Sequence, residues 1–252
     1  MIDIHTHLLP GVDDGAPSVE VAAPILERFA KDGVTVVICT PHLLASEAAR
    51  APVEHHARLL ERLAASVPRG PELKQGWEIM LDAPGVDLRA PELHLGGSSA
   101  VLVEFARMHV PPGAARELLR IRESGVVPVL AHPERYHGCD LADVVEWRDA
   151  GAVIQMDAVT LFGSAPPSRI ARAMLQAALV DCIASDNHGD GRSLAAARQW
   201  LVEIGAVEQA QLLTHTNPGR LLLNEPVLPV APIPEVEQGM LARLKELFLR
   251  RR

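Results

Sequence analysis

Short apolar runs and longer stretches with a helical spacing of apolar residues alternate along most of the chain. Residues 34–40 form a β-branched run without polar alternation, which is typical of a parallel strand buried on both faces. Residues 19–31 show helical spacing behind Ser18, a candidate N-cap, and Gly33 follows as a helix terminator. About seven βα units of this kind follow one another, and such alternation favours a parallel sheet.

The same pattern predicts the bounds of each element. Strands are expected at residues 1–7, 34–40, 73–79, 100–105, 126–131, 153–156 and 181–185. Helices are expected at residues 19–31, 53–66, 113–124, 141–150, 168–179, 193–204 and 207–213. Closure into a TIM-like barrel is the natural outcome for a chain of this length, so we predict an α/β fold with a seven-stranded (β/α)7 barrel.

Two stretches fall outside this alternation. Residues 82–98, with several prolines and glycines, are expected to form an excursion off the core. Residues 226–234 hold four prolines and are expected to be extended or loosely ordered, and an amphipathic helix is predicted at 236–248. We therefore expect a barrel at 1–224, then a proline-rich linker and the terminal helix at 225–252. That helix could dock on its own barrel, form a homo-oligomer contact or bind an anionic membrane surface.

Composition and charge narrow the class of protein. The chain has 252 residues, of which 48% are hydrophobic and 22% charged, so it can bury a full core as a single domain. A formal net charge of -8 argues against a nucleic-acid partner. Because no apolar run approaches a membrane span and no secretory signal is found, a cytoplasmic location is expected. The three cysteines lack paired spacing and are expected to be buried thiols.

The candidate chemistry lies at the predicted strand ends. The first strand ends in His5-Thr6-His7, and since alternate strand residues share a face, both imidazoles can bind one metal ion. Five further stretches place His, Asp or Glu directly after an apolar run, and they supply His42, Glu78, Glu104, His132, and Asp186 with His188. The carboxyl ends of the strands converge on one rim of a parallel barrel. We therefore predict a metal site there, and mixed histidine and carboxylate ligands suit manganese, iron or zinc.

Carboxylates and arginines refine this predicted site. Glu78 could bridge two ions that share a hydroxide. Arg135 and Arg192 are each tethered within a few residues of a proposed ligand, and their planar guanidinium groups suit bidentate binding of phosphate. The turn after the first strand holds Asp13 and Asp14, and Asp13 could either cap this turn or serve as a ligand.

The other histidines are expected to lie on the surface, since none of them follows a predicted strand. They are His55, His56, His94, His109, His137 and His215. The sequence gives no reason to place any of them in the metal site.

Together these residues resemble the polymerase and histidinol phosphatase (PHP) superfamily. Within it, the chain is most similar to the bacterial manganese-dependent protein-tyrosine phosphatases of capsule and exopolysaccharide operons. The motifs are Asp-Ile-His-Thr-His at 3–7 with the turn at 10–16, Thr-Pro-His at 40–42, Glu78, Glu104-Phe105, Ala-His-Pro-Glu-Arg-Tyr at 131–136, Ala-Ser-Asp-Asn-His at 184–188 and Asn217-Pro218. The resemblance spans residues 1–224 and implies a distorted seven-stranded barrel, the PHP fold, with two or three divalent ions, manganese first among them.

Carried over by position, the resemblance implies three sets of metal ligands. They are His5, His7, Glu78 and Asp186 for the first ion, Glu78, Glu104 and His132 for the second, and Asp14, His42 and His188 for the third. Related histidinol phosphatases carry a histidine where this chain has Asp14 and Glu104, which favours the tyrosine phosphatase branch.

The resulting hypothesis is hydrolysis of a phosphotyrosine monoester by a metal-bridging hydroxide. Arg135 and Arg192 would be the catalytic, phosphate-binding residues. The resemblance implies a tyrosine kinase of polysaccharide export as the substrate protein. One alternative is a histidinol phosphatase or another small-molecule phosphoesterase. A second alternative is a regulatory module that binds phosphotyrosine without hydrolysing it.

Overall fold

The structure is a computed structural model that describes residues 1–234, and this part of the chain is an α/β protein with parallel strands. The strands are β1 (Ile2–Thr6), β2 (Val36–Cys39), β3 (His42–Leu44), β4 (Glu72–Gln75), β5 (Glu78–Leu81), β6 (Ala100–Phe105), β7 (Val127–Ala131), β8 (Val153–Asp157) and β9 (Cys182–Ala184). They form a three-stranded sheet, β1-β2-β4, and a six-stranded sheet, β3-β5-β6-β7-β8-β9. The predicted α/β class with parallel strands is therefore confirmed.

In residues 1–234, helices follow most of the strands. They are α1 (Val19–Lys31), α2 (Val53–Ser66), α3 (Ala114–Glu123), α4 (Leu141–Asp149), α5 (Pro166–Gln176), α6 (Leu194–Glu203), α7 (Val207–Gln211) and α8 (Asn217–Leu222). The first two have the predicted bounds, because each has an amphipathic spacing; α1 buries Ala22, Ile25, Leu26 and Phe29 on one face. The pattern did not predict α8, which a π-helical turn at Leu212–Thr216 joins to α7.

The predicted strand at 73–79 is interrupted, the predicted strand at 34–40 is followed by a strand that was not predicted, and these two breaks divide the sheet. Thr40 and Pro41 separate β2 from β3, and Gly76 and Trp77 separate β4 from β5. Pro41 has no N–H to donate to a strand ladder. Gly76 lies where the chain is tightly packed, since a Cβ there would be 2.8 Å from Cγ2 of Ile38. As a result β2 pairs with β4 while β3 pairs with β5, and the ladders do not form the single seven-stranded sheet that was predicted.

Backbone hydrogen bonds nevertheless connect the two sheets. The amide of Asp186 donates to the carbonyl oxygen of His5 at 3.0 Å, and the amide of His7 donates to the carbonyl oxygen of Asn187 at 2.8 Å. Across the interruption, the amide of Glu78 donates to the carbonyl oxygen of Pro41 at 3.1 Å. These bonds place the chain after β1, the start of β5 and the chain after β9 side by side.

Residues 82–98 do not leave the core, so the prediction of an excursion is wrong. Leu88, Leu93 and Leu95 are buried, and the buried Trp77 donates its indole N–H to the carbonyl oxygen of Glu92 at 2.9 Å. Proline and glycine turns interrupt this segment, so its apolar residues show no period that a sequence pattern could detect.

The proline-rich stretch up to residue 234 has no helix or strand but is fixed to the body of the protein. Val230 and Ile233 are buried, and the Asn217 side chain makes two hydrogen bonds of 2.9 Å with the backbone of Leu228. The expectation was an extended or loosely ordered stretch, and these contacts contradict only the loosely ordered alternative. The helix predicted at 236–248, and an oligomer contact through it, lie outside the described residues. Within residues 1–234, no helix is both long and apolar enough to cross a membrane.

Candidate metal centre

The ends of the parallel strands gather imidazole and carboxylate groups in one place. His5 and His7 lie at the carboxyl end of β1, whereas His42 and Glu78 begin β3 and β5, directly after the breaks that follow β2 and β4. Most of these side chains are buried, whereas His42 and Asp14 face solvent with 38% and 70% of their side-chain surface exposed. All nine residues predicted as metal ligands lie in four overlapping groups, and within each group the donor atoms are no more than 4.8 Å apart.

Two imidazole nitrogens lie close to two carboxylate oxygens. His5 Nε2 lies 3.2 Å from His7 Nε2, 3.4 Å from Glu78 Oε2 and 3.3 Å from Asp186 Oδ1. His7 Nε2 lies 3.2 Å from Glu78 Oε2 and 3.4 Å from Asp186 Oδ1. Donor atoms that bind one ion at about 2.0 Å lie at about this separation from one another. His5 and His7 are therefore placed to share a divalent cation, with Asp186 in their group and Glu78 in the adjoining groups.

Glu78 also belongs to the neighbouring groups. Its Oε1 lies 2.8 Å from His132 Nε2, and its Oε2 lies 3.0 Å from His42 Nδ1. His42 Nδ1 in turn lies 3.8 Å from Glu104 Oε1. The structure thus groups His132 with Glu78 and His5, and Glu104 with Glu78 and His42, whereas the family resemblance placed Glu104 and His132 in one ligand set.

Asp13 and Asp14 have different surroundings. Asp14 Oδ1 lies 3.3 Å from His42 Nε2 and 3.5 Å from His188 Nε2. Asp13 Oδ2 accepts a hydrogen bond from His7 Nδ1 at 2.7 Å, and its Oδ1 accepts the amide of Gly15 at 3.0 Å. Asp14 therefore lies among the candidate donor atoms, while Asp13 orients His7 and caps the turn.

Buried acceptors orient both histidines of the first strand. His5 Nδ1 donates to Gln155 Oε1 at 2.9 Å, and Gln155 Nε2 donates to the carbonyl oxygen of Met156 at 2.7 Å. His7 Nδ1 donates to Asp13 in the same way. Because each Nδ1 is taken up by its acceptor, the Nε2 of each ring is the nitrogen that faces the cluster. Such pairs of histidine and acceptor are typical of protein metal sites.

The buried charges of the cluster favour a cation. Burial disfavours the protonated form of His5, but the carboxylates of Glu78 and Asp186 outweigh burial and raise the pKa of His5 to about 9. Burial and the charge of Glu78 raise the pKa of Glu104 to about 7. Buried carboxylates this close together are stabilised by a cation between them. A donor set of imidazoles and carboxylates without a thiolate suits manganese, iron or zinc.

The two predicted arginines lie at the edge of the cluster and share one carboxylate oxygen. Arg135 Nη1 donates to Asp186 Oδ2 at 2.6 Å, and Arg192 Nη1 donates to the same oxygen at 3.1 Å. Their side chains remain 32% and 28% exposed. Each guanidinium group has five N–H donors. Part of each group is therefore accessible to an anionic ligand next to the candidate metal ligands.

Sequence reasoning did not identify the residues that hold these side chains in place. Arg28 Nη2 on α1 donates to the carbonyl oxygens of Asp190 at 3.2 Å and Arg192 at 3.1 Å. Asn187 Nδ2 donates to the same two carbonyl oxygens, at 3.2 Å and 2.8 Å. Only Gln155 left a signal in the sequence, as a polar residue inside the apolar run of β8.

Two of the histidines that were predicted to lie on the surface are buried. His56 is buried and stacks on Trp77 with 4.6 Å between ring centroids, and burial lowers its pKa to about 4. His94 is buried between the carbonyl oxygens of Ser98 and Leu88, at 2.8 Å and 3.0 Å from its ring nitrogens. His56 packs against Trp77, which is distant in sequence, and His94 lies in a segment without a regular spacing of apolar residues. The local pattern therefore did not predict their burial. The remaining four, His55, His109, His137 and His215, are exposed as predicted.

A parallel α/β fold that brings imidazoles and carboxylates together at its strand ends is typical of metal-dependent hydrolases. The chain belongs to the CpsB/CapC family of capsular polysaccharide synthesis, which it matches over residues 1–223.

Individual relatives agree with this assignment. The chain is 29% identical to the tyrosine-protein phosphatase YwqE of Bacillus subtilis (strain 168) over 201 residues, which cover 75% of this chain and 77% of YwqE. It is 27% identical to the tyrosine-protein phosphatase CpsB of Streptococcus pneumoniae over 242 residues, which cover 89% and 99% of the two chains. A crystal structure from work on YwqE and CpsB, described as unique metal-dependent tyrosine phosphatases, superposes with a TM-score of 0.79 at 25% identity and covers 94% of this chain and 100% of its own.

Proposed function

We propose that this protein is a metal-dependent phosphatase that hydrolyses phosphotyrosine in proteins. The single observation that carries the proposal is that the Nε2 atoms of His5 and His7 lie 3.2 to 3.4 Å from each other and from carboxylate oxygens of Glu78 and Asp186, beside two partly exposed arginines. A cation cluster next to partly exposed guanidinium groups suits a phosphate dianion, which both can neutralise. The activity of the relatives YwqE and CpsB supports phosphotyrosine as the substrate group.

We infer that the cluster holds two or three divalent ions, with manganese the first candidate and iron or zinc the others. His5, His7, Glu78 and Asp186 would hold one ion, and Glu78 would be shared with a second. Glu104 and His132, and the outer group of Asp14, His42 and His188, supply the remaining donors. When bound, the ions would lower the pKa of coordinated water and offset the charge of the phosphate.

The protein's own side chains have separate parts in this reaction. Gln155 and Asp13 keep His5 and His7 in the tautomer that binds metal through Nε2. Arg135 and Arg192 bind the phosphate oxygens that the metal ions leave uncovered, and they orient the ester for attack. A phenolate leaving group has a pKa of about 10, so it departs with little help from a general acid.

The fold and the partner can also be proposed in more detail. We infer that β2 and β3 act as one strand and that β4 and β5 act as another. Seven strands then form a distorted barrel around a buried apolar cluster that includes Ile4, Leu102 and Val129. The hydrogen bonds between the ends of β1 and β9 support this arrangement. Membership of a capsular polysaccharide family supports a tyrosine-phosphorylated protein of that machinery, such as its tyrosine kinase, as the substrate.

Metal and thiol dependence test the proposed function. Chelation should abolish hydrolysis of a phosphotyrosine peptide, and manganese should restore it, whereas iodoacetamide should have no effect. Cys39, Cys139 and Cys182 are buried, and burial raises the pKa of Cys39 and Cys139 to about 12, so none is a ready nucleophile. The measurement is phosphate release, with histidinol phosphate and a phosphoserine peptide of the same sequence as comparison substrates.

Each outcome of this assay decides between hypotheses. Loss of activity after alkylation, with the metal content retained, contradicts the proposal. Faster turnover of histidinol phosphate than of the phosphotyrosine peptide supports a small-molecule phosphatase instead. A metal-loaded protein that binds the phosphotyrosine peptide but releases no phosphate is a binding module.

Arg135→Ala and Arg192→Ala should each lower kcat/KM for the phosphotyrosine peptide by about 10- to 100-fold, because each removes a charged donor to the phosphate. Lysine at either position should restore only part of the activity, since it keeps the charge but not the planar pair of donors. The matched control is Arg169→Ala, an exposed arginine on α5 that is neither a candidate metal ligand nor a candidate phosphate-binding residue. Metal content should be measured for every variant, because both arginines also contact Asp186. Parental kinetics in both alanine variants would rule out their role at the phosphate.

A further inference from the structure

Two apolar side chains continue the strands that carry His42 and Glu78. Leu44 is two residues beyond His42 on β3, and Met80 is two residues beyond Glu78 on β5. In the parallel pairing of these strands, His42 is opposite Glu78 and Leu44 is opposite Met80. Because alternate strand residues point to the same face, Leu44 and Met80 lie on the face that holds the candidate metal ligands.

The pairing of β5 with β6 shows how far along the strands these two side chains lie. Met80 is opposite Glu104, whose carboxylate lies 3.8 Å from the His42 ring. Leu44 and Met80 are therefore about 7 Å farther along their strands than His42 and Glu78, at the level of Glu104.

Neither side chain contributes to the core. Leu44 is 39% exposed and Met80 is half-buried, and neither belongs to the three apolar clusters that the described residues form. Their strand neighbours Leu43 and Ile79, which point to the opposite face, are buried in the largest cluster. A partly exposed apolar pair beside a charged site can gain contact area when a ligand covers it.

We propose that Leu44 and Met80 form a contact surface for the aromatic ring of the substrate and thereby select aryl phosphates. This inference rests on the proposed function and names the part of the substrate that is recognised. In a phosphotyrosine the ring is joined directly to the ester oxygen, so a phosphate held at the metal cluster keeps the ring close to this level of the strands. A thioether and a branched aliphatic side chain both pack well against an aromatic face. Phosphoserine and small alkyl phosphates present no apolar group that could cover this pair.

The experiment separates binding of the ring from binding of the phosphate. Inorganic phosphate and phenylphosphonate, which cannot be hydrolysed, are titrated calorimetrically into the manganese-loaded protein, its L44S and M80Q variants, and L119S. Leu119 on α3 is the matched control, since it is a leucine with 41% exposure on an outer helix. We expect both test variants to bind phenylphosphonate about 5- to 20-fold more weakly, and inorganic phosphate within about twofold of the parent. KM for phenyl phosphate should rise in the same proportion.

Two results would overturn the inference. Equal weakening of both ligands would mean that the variants disturb the metal cluster, and unchanged binding of phenylphosphonate would mean that the ring lies elsewhere. Thermal unfolding of each variant shows whether the fold is intact. Because the titrations need no turnover, a protein that binds phenylphosphonate through Leu44 and Met80 but hydrolyses nothing would refute the proposed function and leave this inference standing.

Discussion

Glu78→Gln is expected to lower kcat/KM for a phosphotyrosine peptide by about 10³-fold and to remove metal from the cluster. Glu78 is 1% exposed, and its two oxygens lie 2.8 to 3.4 Å from four imidazoles, those of His5, His7, His42 and His132. Glutamine has nearly the same volume but no negative charge, and its amide group presents two N–H donors to ligand nitrogens. Glutamine therefore cannot bridge two cations, and only one of its two terminal atoms can accept a hydrogen bond.

The same change should affect metal binding more than folding. Burial opposes the charged form of Glu78, but the surrounding histidines outweigh it and hold the pKa of this carboxyl well below its usual range. A neutral amide removes that charge from the centre of the cluster without leaving a cavity. Metal content by mass spectrometry and the melting temperature report the two effects separately. Glu61→Gln on α2, an exposed glutamate, is the matched control and should behave like the parent. A Glu78→Gln protein that keeps its metal and its turnover would show that this carboxylate is not a ligand.

The sequence predicted the parts of this protein that depend on local patterns. The bounds of α1 and α2 agree with the structure because each is an amphipathic stretch with clear ends. The candidate ligands were found because each follows an apolar run, and parallel strands align such positions at one edge. The structure places all nine within four overlapping groups, although it distributes Glu104 and His132 differently from the family resemblance.

What the pattern did not predict depends on contacts between distant segments. Gly76 lies inside a stretch that was predicted as one strand, and Pro41 directly follows another. Only the pairing of β2 with β4 and of β3 with β5 reveals the offset. Arg135 and Arg192 were chosen because they are close in sequence to proposed ligands. Their convergence on one oxygen of Asp186 depends on how the two loops fold. A hydrogen bond such as that between His5 and Gln155 spans 150 positions and has no local signal.

Gly15→Ala is expected to lower activity by about 10²-fold and to lower the melting temperature, because no space exists for a methyl group at this position. A Cβ on Gly15 would overlap the carbonyl oxygen and the Cβ of His7 and would lie 2.8 Å from the His7 carbonyl carbon. The loop is fixed there, since the amide of Ala16 donates to the His7 carbonyl oxygen at 2.8 Å and Asp13 accepts the amide of Gly15 at 3.0 Å.

The methyl group must therefore push residues 13–16 away from the first strand. That movement would separate Asp13 from the His7 ring that it orients, and Asp14 from the outer histidines. Gly191→Ala in the loop after β9 is the matched control, because a Cβ there meets no atom within 4 Å and its backbone is not in the left-handed region. We expect that variant to keep parental metal content, melting temperature and kcat/KM. Metal affinity measured by competition with a chelator should fall in Gly15→Ala alone, and equal affinities in the two variants would contradict a role for this close packing in holding the metal ligands.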